Sequence, residues 1–404
     1  MAQPAHDTPE VTMTAYRRDF VVVLGLAASP LIALGYSRFA YALLLPAMRT
    51  ELGWSFATAG LMNTVNAVGY LVGALGTAWL AAKVGQRAAF VGALVVTVVA
   101  LGCTSATSSL AVLLTARAVL GAAGAVAFVV GGAITSTLCR RHTPHQSAVL
   151  IGTYFAGGGV GIVASGFAVP AVLDRLGSPG WPWGWIALTV LAAFGTVTAA
   201  WAAAVAPTTA PTRGERRPWP GGLGRLAAGY LLFGAGYIGY MTFIVALVTQ
   251  VGFTPRAVTA FWVVLGIAGA VSGWVWAGLL KTAVGGSAAA VLFVLLAIAV
   301  AIPAVTSASW ALYVSGALFG LCMLSLVSAV TAAGRDAVRP EDTTAAIALL
   351  TTVFAFGQVV GPWFTGVLAD RTGGLQLGLG ISAVLLVIGA GFCRWQPARV
   401  PAAQ

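Results

Sequence analysis

Charge is the property that this chain has least of. Only 8% of its 404 residues are charged, against 59% that are hydrophobic, and the mean hydropathy is +0.94. Lysine occurs only twice, as Lys83 and Lys281. A soluble globular domain usually carries about a quarter of its residues as charged side chains. The composition therefore excludes an ordinary soluble domain, and the net charge of +11 does not indicate nucleic-acid binding.

Cysteine and histidine are also scarce. The four cysteines, Cys103, Cys139, Cys322 and Cys393, are scattered, and no two have the spacing of a metal site or a disulfide framework. The three histidines lie outside the apolar runs. We expect single buried thiols, no metal and no cofactor.

Acidic residues are absent from the interior of every long apolar run. All ten Asp and Glu fall in tails, loops or run ends. No Ser/His/Asp, His/Glu or Cys/His cluster occurs within the runs, so an enzyme is not expected. The phosphate-binding pattern G-x-x-x-x-G-K-[ST] of an ATP-driven pump is also missing, because Leu280 precedes Lys281–Thr282.

Long apolar runs are what the chain does have. Each is long enough to cross a hydrocarbon layer of roughly 30 Å. They predict an all-α membrane protein with twelve transmembrane helices, at about 20–48, 55–81, 87–106, 109–138, 147–172, 184–206, 223–250, 257–280, 286–305, 309–333, 343–369 and 375–393. The first run is too long for a signal-peptide core and should stay as a helix.

The positive charges predict the orientation. With a cytoplasmic N-terminus, fifteen Lys and Arg fall on the cytoplasmic side and four on the other, Arg49, Arg175, Arg256 and Arg371. This excess follows the positive-inside rule. We therefore expect a multi-pass protein of the inner (plasma) membrane, with the lipid bilayer as its partner, both termini cytoplasmic and a monomeric state.

The chain repeats itself at an offset near 200 residues. Gly35–Tyr36 matches Gly236–Tyr237, and Asp174-Arg175-Leu-Gly177 matches Asp370-Arg371-Thr-Gly373. The repeat predicts two pseudo-symmetric six-helix bundles, residues 1–206 and 223–404, joined by a cytoplasmic loop at 207–222. Such duplication is typical of alternating-access transporters, whose binding site lies between the repeats near the midplane.

Several short motifs carry a family resemblance. AAKVGQR at 81–87 resembles the loop between helices 2 and 3 of the major facilitator superfamily, although Ala82 stands where an acidic residue is usual. With Gly73, this resemblance marks Lys83, Gly85 and Arg87 as gating residues. LLTARAVLGAAGA at 113–125 is similar to the helix 4 motif of proton antiporters. GGGVGIVASG at 157–166 resembles their helix 5 motif in part, since Ile162 replaces its proline.

GYSRFAYALLLPAM at 35–48, together with GYLVGA at 69–74, resembles the YbfB/YjiJ group of that superfamily. The resemblance implies the major facilitator fold and secondary transport, and it supplies no substrate.

Two arginines lie deep inside apolar runs, Arg38 in helix 1 and Arg117 in helix 4. An arginine at the bilayer centre costs about 3 kcal/mol on insertion scales, so a reason for its presence is expected. At ~1.5 Å per residue, both lie roughly 12–15 Å from the outer ends of their helices. If the superfamily packing holds, both line one cavity and form an anion site whose counter-charge is the substrate.

Structural alternatives remain for both residues. Arg38 would snorkel to the outer surface if helix 1 is longer than the bilayer requires. Arg117 would hydrogen-bond carbonyls of neighbouring helices, with Gly121 and Gly124 allowing close packing.

Further candidates for substrate contact follow from their positions beside these arginines or on polar and aromatic stripes. Asn63, Asn66, Tyr70 and Gly73 share one face of helix 2, which suits packing as well as a cavity. The remaining candidates are Tyr41, Tyr237, Tyr240 and Gln358.

These observations predict a secondary transporter for a small, carboxylate-like organic anion with apolar or aromatic character, with export or exchange favoured. The inside-negative potential drives an anion outward by about 2.3 kcal/mol per charge per 100 mV. The alternative is proton-coupled efflux of drugs or other toxic, amphipathic compounds, which the helix 4 motif supports. The residues alone do not separate a carrier from a channel or a receptor.

Overall fold

A computed structural model describes residues 9–207, 221–339 and 342–397. Twelve helices in these ranges are long and apolar enough to cross a membrane, which confirms the predicted spans. They are α1 (Ala15–Leu52), α2 (Phe56–Val84), α3 (Gln86–Ser105), α4 (Leu110–Cys139), α5 (Pro144–Leu176), α6 (Ser178–Val205), α7 (Gly224–Gln250), α8 (Pro255–Thr282), α9 (Ser287–Val305), α10 (Ser309–Asp336), α11 (Ala345–Thr372) and α12 (Gln376–Arg394).

Helix α1 is not a regular α-helix throughout. A stretch of π-helix, Leu31–Phe39, lies between α-helical segments and directly follows Pro30. Proline has no backbone N–H and cannot donate to the carbonyl four residues earlier. The wider turns that follow bond five residues back, as in the N–H of Ala40 to the carbonyl of Gly35 at 2.9 Å. Such bulges are frequent at functional sites, and this one carries Arg38 in its last turn.

The helix packing of the first bundle recurs in the second. In the first six helices, α1 packs on α5, α2 on α4 and α3 on α6. In the last six, α7 packs on α11, α8 on α10 and α9 on α12. The pairs correspond one to one when six is added to each helix number. Most of the predicted inter-bundle loop at 207–222 lies outside the described residues.

In the described residues, three helix pairs form the most extensive contacts between the two bundles: α2 with α11, α5 with α8, and the Tyr41–Leu52 segment of α1 with α7. We call the face where α1 begins the amino-terminal face and the opposite one the distal face. The hydrogen bonds that described residues form between the bundles lie between mid-depth and the distal face. Toward the amino-terminal face, Gly76 and Gly273 have open space where a side chain would be. The bundles are therefore joined distally and separate toward the amino-terminal face.

Glycine permits the closest helix contacts. Gly35 of α1 lies against the backbone of Gly161 on α5, and Gly69 of α2 lies against the carbonyl of Ala118 on α4. A Cβ atom at either glycine would overlap the neighbouring backbone. Small residues that bring backbones together are the usual basis of helix association in membranes, where lipid removes the hydrophobic driving force.

The two glycines Gly69 and Gly76, both in α2, provide a test of this packing. We expect Gly69→Ala to lower the free energy of unfolding by about 1–3 kcal/mol, because its Cβ meets a backbone oxygen that cannot rotate away. Gly76→Ala meets nothing within 4 Å and should not destabilise. Thermal unfolding of both variants in one detergent measures the difference, and equal melting temperatures would contradict the packing.

Candidate functional site

Arg38 lies at the junction of the two bundles. Its side chain is 5% exposed, and its Nη2 donates a hydrogen bond to Oε1 of Gln358 on α11. The pair therefore joins α1 of the first bundle to α11 of the second. Gln358 is itself 1% exposed. A neutral amide thus serves as the acceptor for a buried, permanently charged guanidinium.

The amide nitrogen of Gln358 has no partner among the described residues. Since a guanidinium can only donate, the amide oxygen must face Arg38 and the Nε2 group must point elsewhere. A buried polar group without a partner usually costs about 1–3 kcal/mol. Gln358 thus places an unused amide donor next to the charged guanidinium of Arg38. The ring of Tyr70 on α2 also contacts Arg38, with its centroid 5.1 Å from Cζ.

Four aromatic side chains of α7 and α11 stack next to this pair. We call Tyr230, Phe233, Tyr237 and Phe354 the aromatic wall. The Phe354 centroid lies 4.6 Å from that of Tyr230, 5.1 Å from that of Phe233 and 5.7 Å from that of Tyr237. Phe354 lies one helical turn before Gln358, so the wall begins one turn from the Arg38–Gln358 pair.

Arg117 has a different environment. It is fully buried, and its three nitrogens donate to the carbonyl of Ser37 at 2.6 Å, to Oδ1 of Asn63 at 2.5 Å and to the carbonyl of Met62 at 3.4 Å. The Tyr41 ring lies 4.9 Å from its Cζ. Arg117 thus contacts the backbone of Ser37, the residue that precedes Arg38. Each of its three nitrogens already donates to an acceptor on α1 or α2. This geometry matches the structural alternative for Arg117, in which the guanidinium hydrogen-bonds carbonyls of neighbouring helices.

Two asparagines of α2 extend this network. Asn63 accepts from Arg117 and donates to Oγ1 of Thr242 on α7 at 2.8 Å, which makes a polar chain from one bundle to the other. Asn66 donates to the carbonyl of Arg117 at 3.0 Å and so ties α2 to α4. Asn66 therefore packs helices together, and Asn63 lies at the interface between the bundles.

Two of the predicted tyrosines point away from Arg38. The Tyr41 hydroxyl donates to the carbonyl of Ala59 at 2.8 Å, and its ring stacks on Trp185. The Tyr240 hydroxyl lies 2.8 Å from Oγ of Ser315, and its ring stacks on Phe319 of α10. Both therefore belong to the interiors of their bundles, whereas Tyr237 belongs to the aromatic wall.

Three of the predicted gating residues, Lys83, Gly85 and Arg87, lie at the α2–α3 turn, whereas Gly73 lies inside α2. Gly73 packs against the backbone of Ala122 on α4, and Gly85 has a φ of +87°, which favours glycine. The Lys83 ammonium lies 5.1 Å from the centroid of a Trp79 ring. Arg87 donates to the carbonyl of Ala206 at 2.7 Å, within the first bundle.

A carboxylate closes the distal face. The two oxygens of Asp370 at the end of α11 accept from the backbone N–H groups of Phe56 and Ala57, each at 2.8 Å. These are the first residues of α2, whose amide groups have no partner within the helix and whose dipole attracts negative charge. Asp370 thus joins the bundles where they meet distally.

Sequence reasoning missed some of these residues. Tyr70 and Asn63 lie on the polar stripe of α2. The stripe was visible in the sequence, but it was as consistent with helix packing as with a binding site. Asp370 was visible only as a marker of the repeat. Phe354 carried no signal, because its role comes from stacking against a helix more than 100 residues earlier.

Residues 30–394 match the family described as "Uncharacterised MFS-type transporter YbfB". A search of curated proteins found no match.

Three solved structures share the fold. A bacterial homologue of the human lysosomal transporter Spinster, inward-facing and occupied, has a TM-score of 0.69 at 16% identity, covering 96% of this chain and 97% of that one. The nucleoside transporter NupG has a TM-score of 0.69 at 12% identity, with 93% and 97% covered. The human organic anion transporter MFSD10 has a TM-score of 0.65 at 17% identity, with 96% and 100% covered.

The family match therefore defines a membrane transporter of the major facilitator superfamily. Within that superfamily, the chain belongs to the YbfB family.

Asp370 allows a test of the distal closure. Asp370→Asn removes the charge that the α2 amide groups attract, so we expect at least a tenfold shift toward conformers open on the distal face, since a charge-assisted hydrogen bond contributes about 1.5–3 kcal/mol. Spin labels at the exposed positions Glu51 and Thr372 would measure the separation of the bundles. The labels require a Cys103→Ala background, because Cys103 is exposed and not buried as the sequence predicted.

Asp174→Asn is the matched control, because Asp174 is the repeat-related residue, is exposed, and has a carboxylate that forms no hydrogen bond with a described residue. An unchanged distance distribution in Asp370→Asn would show that this contact does not hold the distal face closed.

Arg117 allows a second test. Arg117→Met leaves three buried acceptors without their donor, and we expect a loss of about 2 kcal/mol or more in unfolding free energy. Arg38→Met breaks a single hydrogen bond and should cost about half as much or less. Chemical unfolding of both in the same detergent compares them. Equal losses would contradict a structural role specific to Arg117.

Proposed function

We infer that the chain is a secondary transporter of a small, carboxylate-like organic anion with an aromatic or apolar body, which it moves by export or exchange. The observation that carries this proposal is the Arg38–Gln358 pair. A buried guanidinium at the junction of the bundles has a neutral amide as its acceptor, and the next amide donor is unused.

Charge supports an anion over other substrates. The chain has ten acidic residues, and none lies inside an apolar run where it could neutralise Arg38. A buried charge is stable when it is paired, and a carboxylate is the acceptor that arginine binds most strongly. A carboxylate that replaced Gln358 Oε1 would receive the guanidinium donors and would lie close to the free Nε2 donor.

The aromatic wall supports the apolar part of the substrate. Its rings begin one helical turn from Gln358 and would offer apolar and aromatic contacts to the body of a bound carboxylate. Flat, largely apolar walls with a few polar groups are the usual composition of small-molecule sites. The organic anion transporter MFSD10 shares the fold at 17% identity, which makes this substrate class compatible with the architecture.

Exchange follows from the position of the pair. Arg38 and Gln358 belong to different bundles, so their hydrogen bond resists separation of the bundles at mid-depth. A substrate carboxylate would compete for Arg38 and weaken that bond. A loaded carrier should then change conformation more readily than an empty one, which is the property of an exchanger.

Three probes of matched size test the proposal: benzoate, benzylamine and benzyl alcohol. We expect benzoate alone to raise the melting temperature of the purified protein, because a ligand at 100 times its Kd stabilises the folded state by about 2.7 kcal/mol. Arg38→Gln and Gln358→Leu should weaken this effect at least tenfold. Arg371→Gln, which removes an exposed arginine far from the pair, should leave it unchanged.

Stronger stabilisation by benzylamine would favour the efflux alternative for cationic compounds. No difference between wild type and Arg38→Gln would refute the anion site. In liposomes, uptake of labelled benzoate that accelerates when unlabelled benzoate is inside identifies exchange. A rate independent of internal benzoate would contradict it.

A further inference from the structure

A second basic site lies at the amino-terminal face, far from Arg38. A cleft of about 200 Å³ opens where α1, α3, α4 and α6 converge. We call it the arginine cleft, because three arginines, Arg18, Arg87 and Arg141, line it together with Asp19. Arg18 precedes Arg38 by 20 residues on one helix, which corresponds to about 30 Å at 1.5 Å per residue. The cleft is therefore separate from the proposed transport site.

The charges of the cleft are not balanced. Three guanidiniums face one carboxylate, and that carboxylate, on Asp19, already lies 2.8 Å from Nε2 of His142. One nitrogen of Arg87 donates to the carbonyl of Ala206 at the end of α6, which accounts for part of that side chain. The guanidinium groups of Arg18 and Arg141 form no hydrogen bond or ion pair with any residue that the structure describes. Two cations thus remain available in one concave site.

Apolar side chains complete the cleft. Val22, Leu138 and Val205 come from three different helices and are not charged, so the site has a basic rim and an apolar part. If the positive-inside prediction holds, this rim lies at the cytoplasmic membrane surface. Basic pockets between transmembrane helices at that surface suit the head groups of anionic lipids.

We propose that the arginine cleft binds a phosphate-bearing anion, held by Arg18, Arg141 and the remaining donors of Arg87. Arginine is well suited to phosphate because its planar donors match two phosphate oxygens at once. The same chemistry has two sources, the phosphate of an anionic lipid head group and a free phosphate group in solution. The apolar part of the cleft would also accommodate the start of an acyl chain, and free phosphate would leave it empty.

The experiment uses the purified full-length chain and measures lipid binding by native mass spectrometry. Phosphatidylglycerol should be retained in preference to phosphatidylcholine. In Arg18→Gln/Arg141→Gln, retention should fall at least tenfold, because each basic residue near a membrane surface contributes about fivefold in affinity for anionic lipid. A second arm measures the melting temperature in neutral detergent with and without inorganic phosphate, which would report binding of the soluble source.

Two variants control for general effects. Arg335→Gln/Arg394→Gln removes two exposed arginines from the same face, outside the cleft, and should retain lipid as the wild type does. Asp19→Asn removes the only carboxylate among the described residues that line the cleft and should tighten binding, a direction that misfolding cannot produce.

Preferential retention of phosphatidylglycerol that is lost only in the cleft variant supports the lipid source. Stabilisation by phosphate that is lost in the same variant supports the soluble source. If both double variants lose retention equally and phosphate has no effect, or if Asp19→Asn weakens binding, the proposal is wrong. Because no transport is measured, its failure is independent of the anion-transport proposal.

Discussion

Two permanently charged guanidiniums, buried at mid-depth without a carboxylate beside them, are the constraint on which the centre of this transporter depends. Moving such charges from water into a low-dielectric interior is costly, and the cost is lowered by hydrogen bonds that the charges donate to neutral groups. Arg117 donates to acceptors on α1 and α2, the carbonyls of Ser37 and Met62 and the amide oxygen of Asn63. Arg38 donates one hydrogen bond across the bundle interface, to Gln358. The two arginines are therefore not equivalent, although the sequence presents them alike.

Close helix packing makes this arrangement possible. Arg117 reaches the backbone of α1 because α2 and α4 approach through Gly69 and Gly73 on one side and Gly121 on the other. The π-helical stretch of α1 widens the turn that carries Ser37 and Arg38. Each of these features brings backbone carbonyls toward a charge, so the packing of the first bundle and the electrostatics of its arginines depend on one another.

Much of the fold could be predicted from the sequence, because helices in lipid must satisfy their own backbone and so appear as long apolar runs. The twelve spans were accessible in this way, whereas the superfamily was indicated by the resemblance of short motifs such as AAKVGQR at 81–87. The burial of Arg38 and Arg117 also followed from their positions in apolar runs. Their partners did not, because Gln358 lies 320 residues from Arg38 and Asn63 lies 54 residues from Arg117. Hydrogen bonds of this kind depend on helix rotation, which apolar periodicity hardly determines when nearly every face is apolar.

The two ends of the interface between the bundles differ in the charged contacts that the described residues form across it. At the distal face, Asp370 binds the start of α2 and adds a charge-assisted contact to the aromatic packing of Phe56 against Phe243. At the other end, Ala82 replaces the acidic residue usual in the superfamily's loop motif, and Arg87 bonds within its own bundle. A carboxylate thus joins the bundles distally, whereas the loop motif offers none at the amino-terminal face. Because the Arg38–Gln358 bond lies between these two ends, a substrate that competes for it would act at the point where the joined and the separated parts of the interface meet.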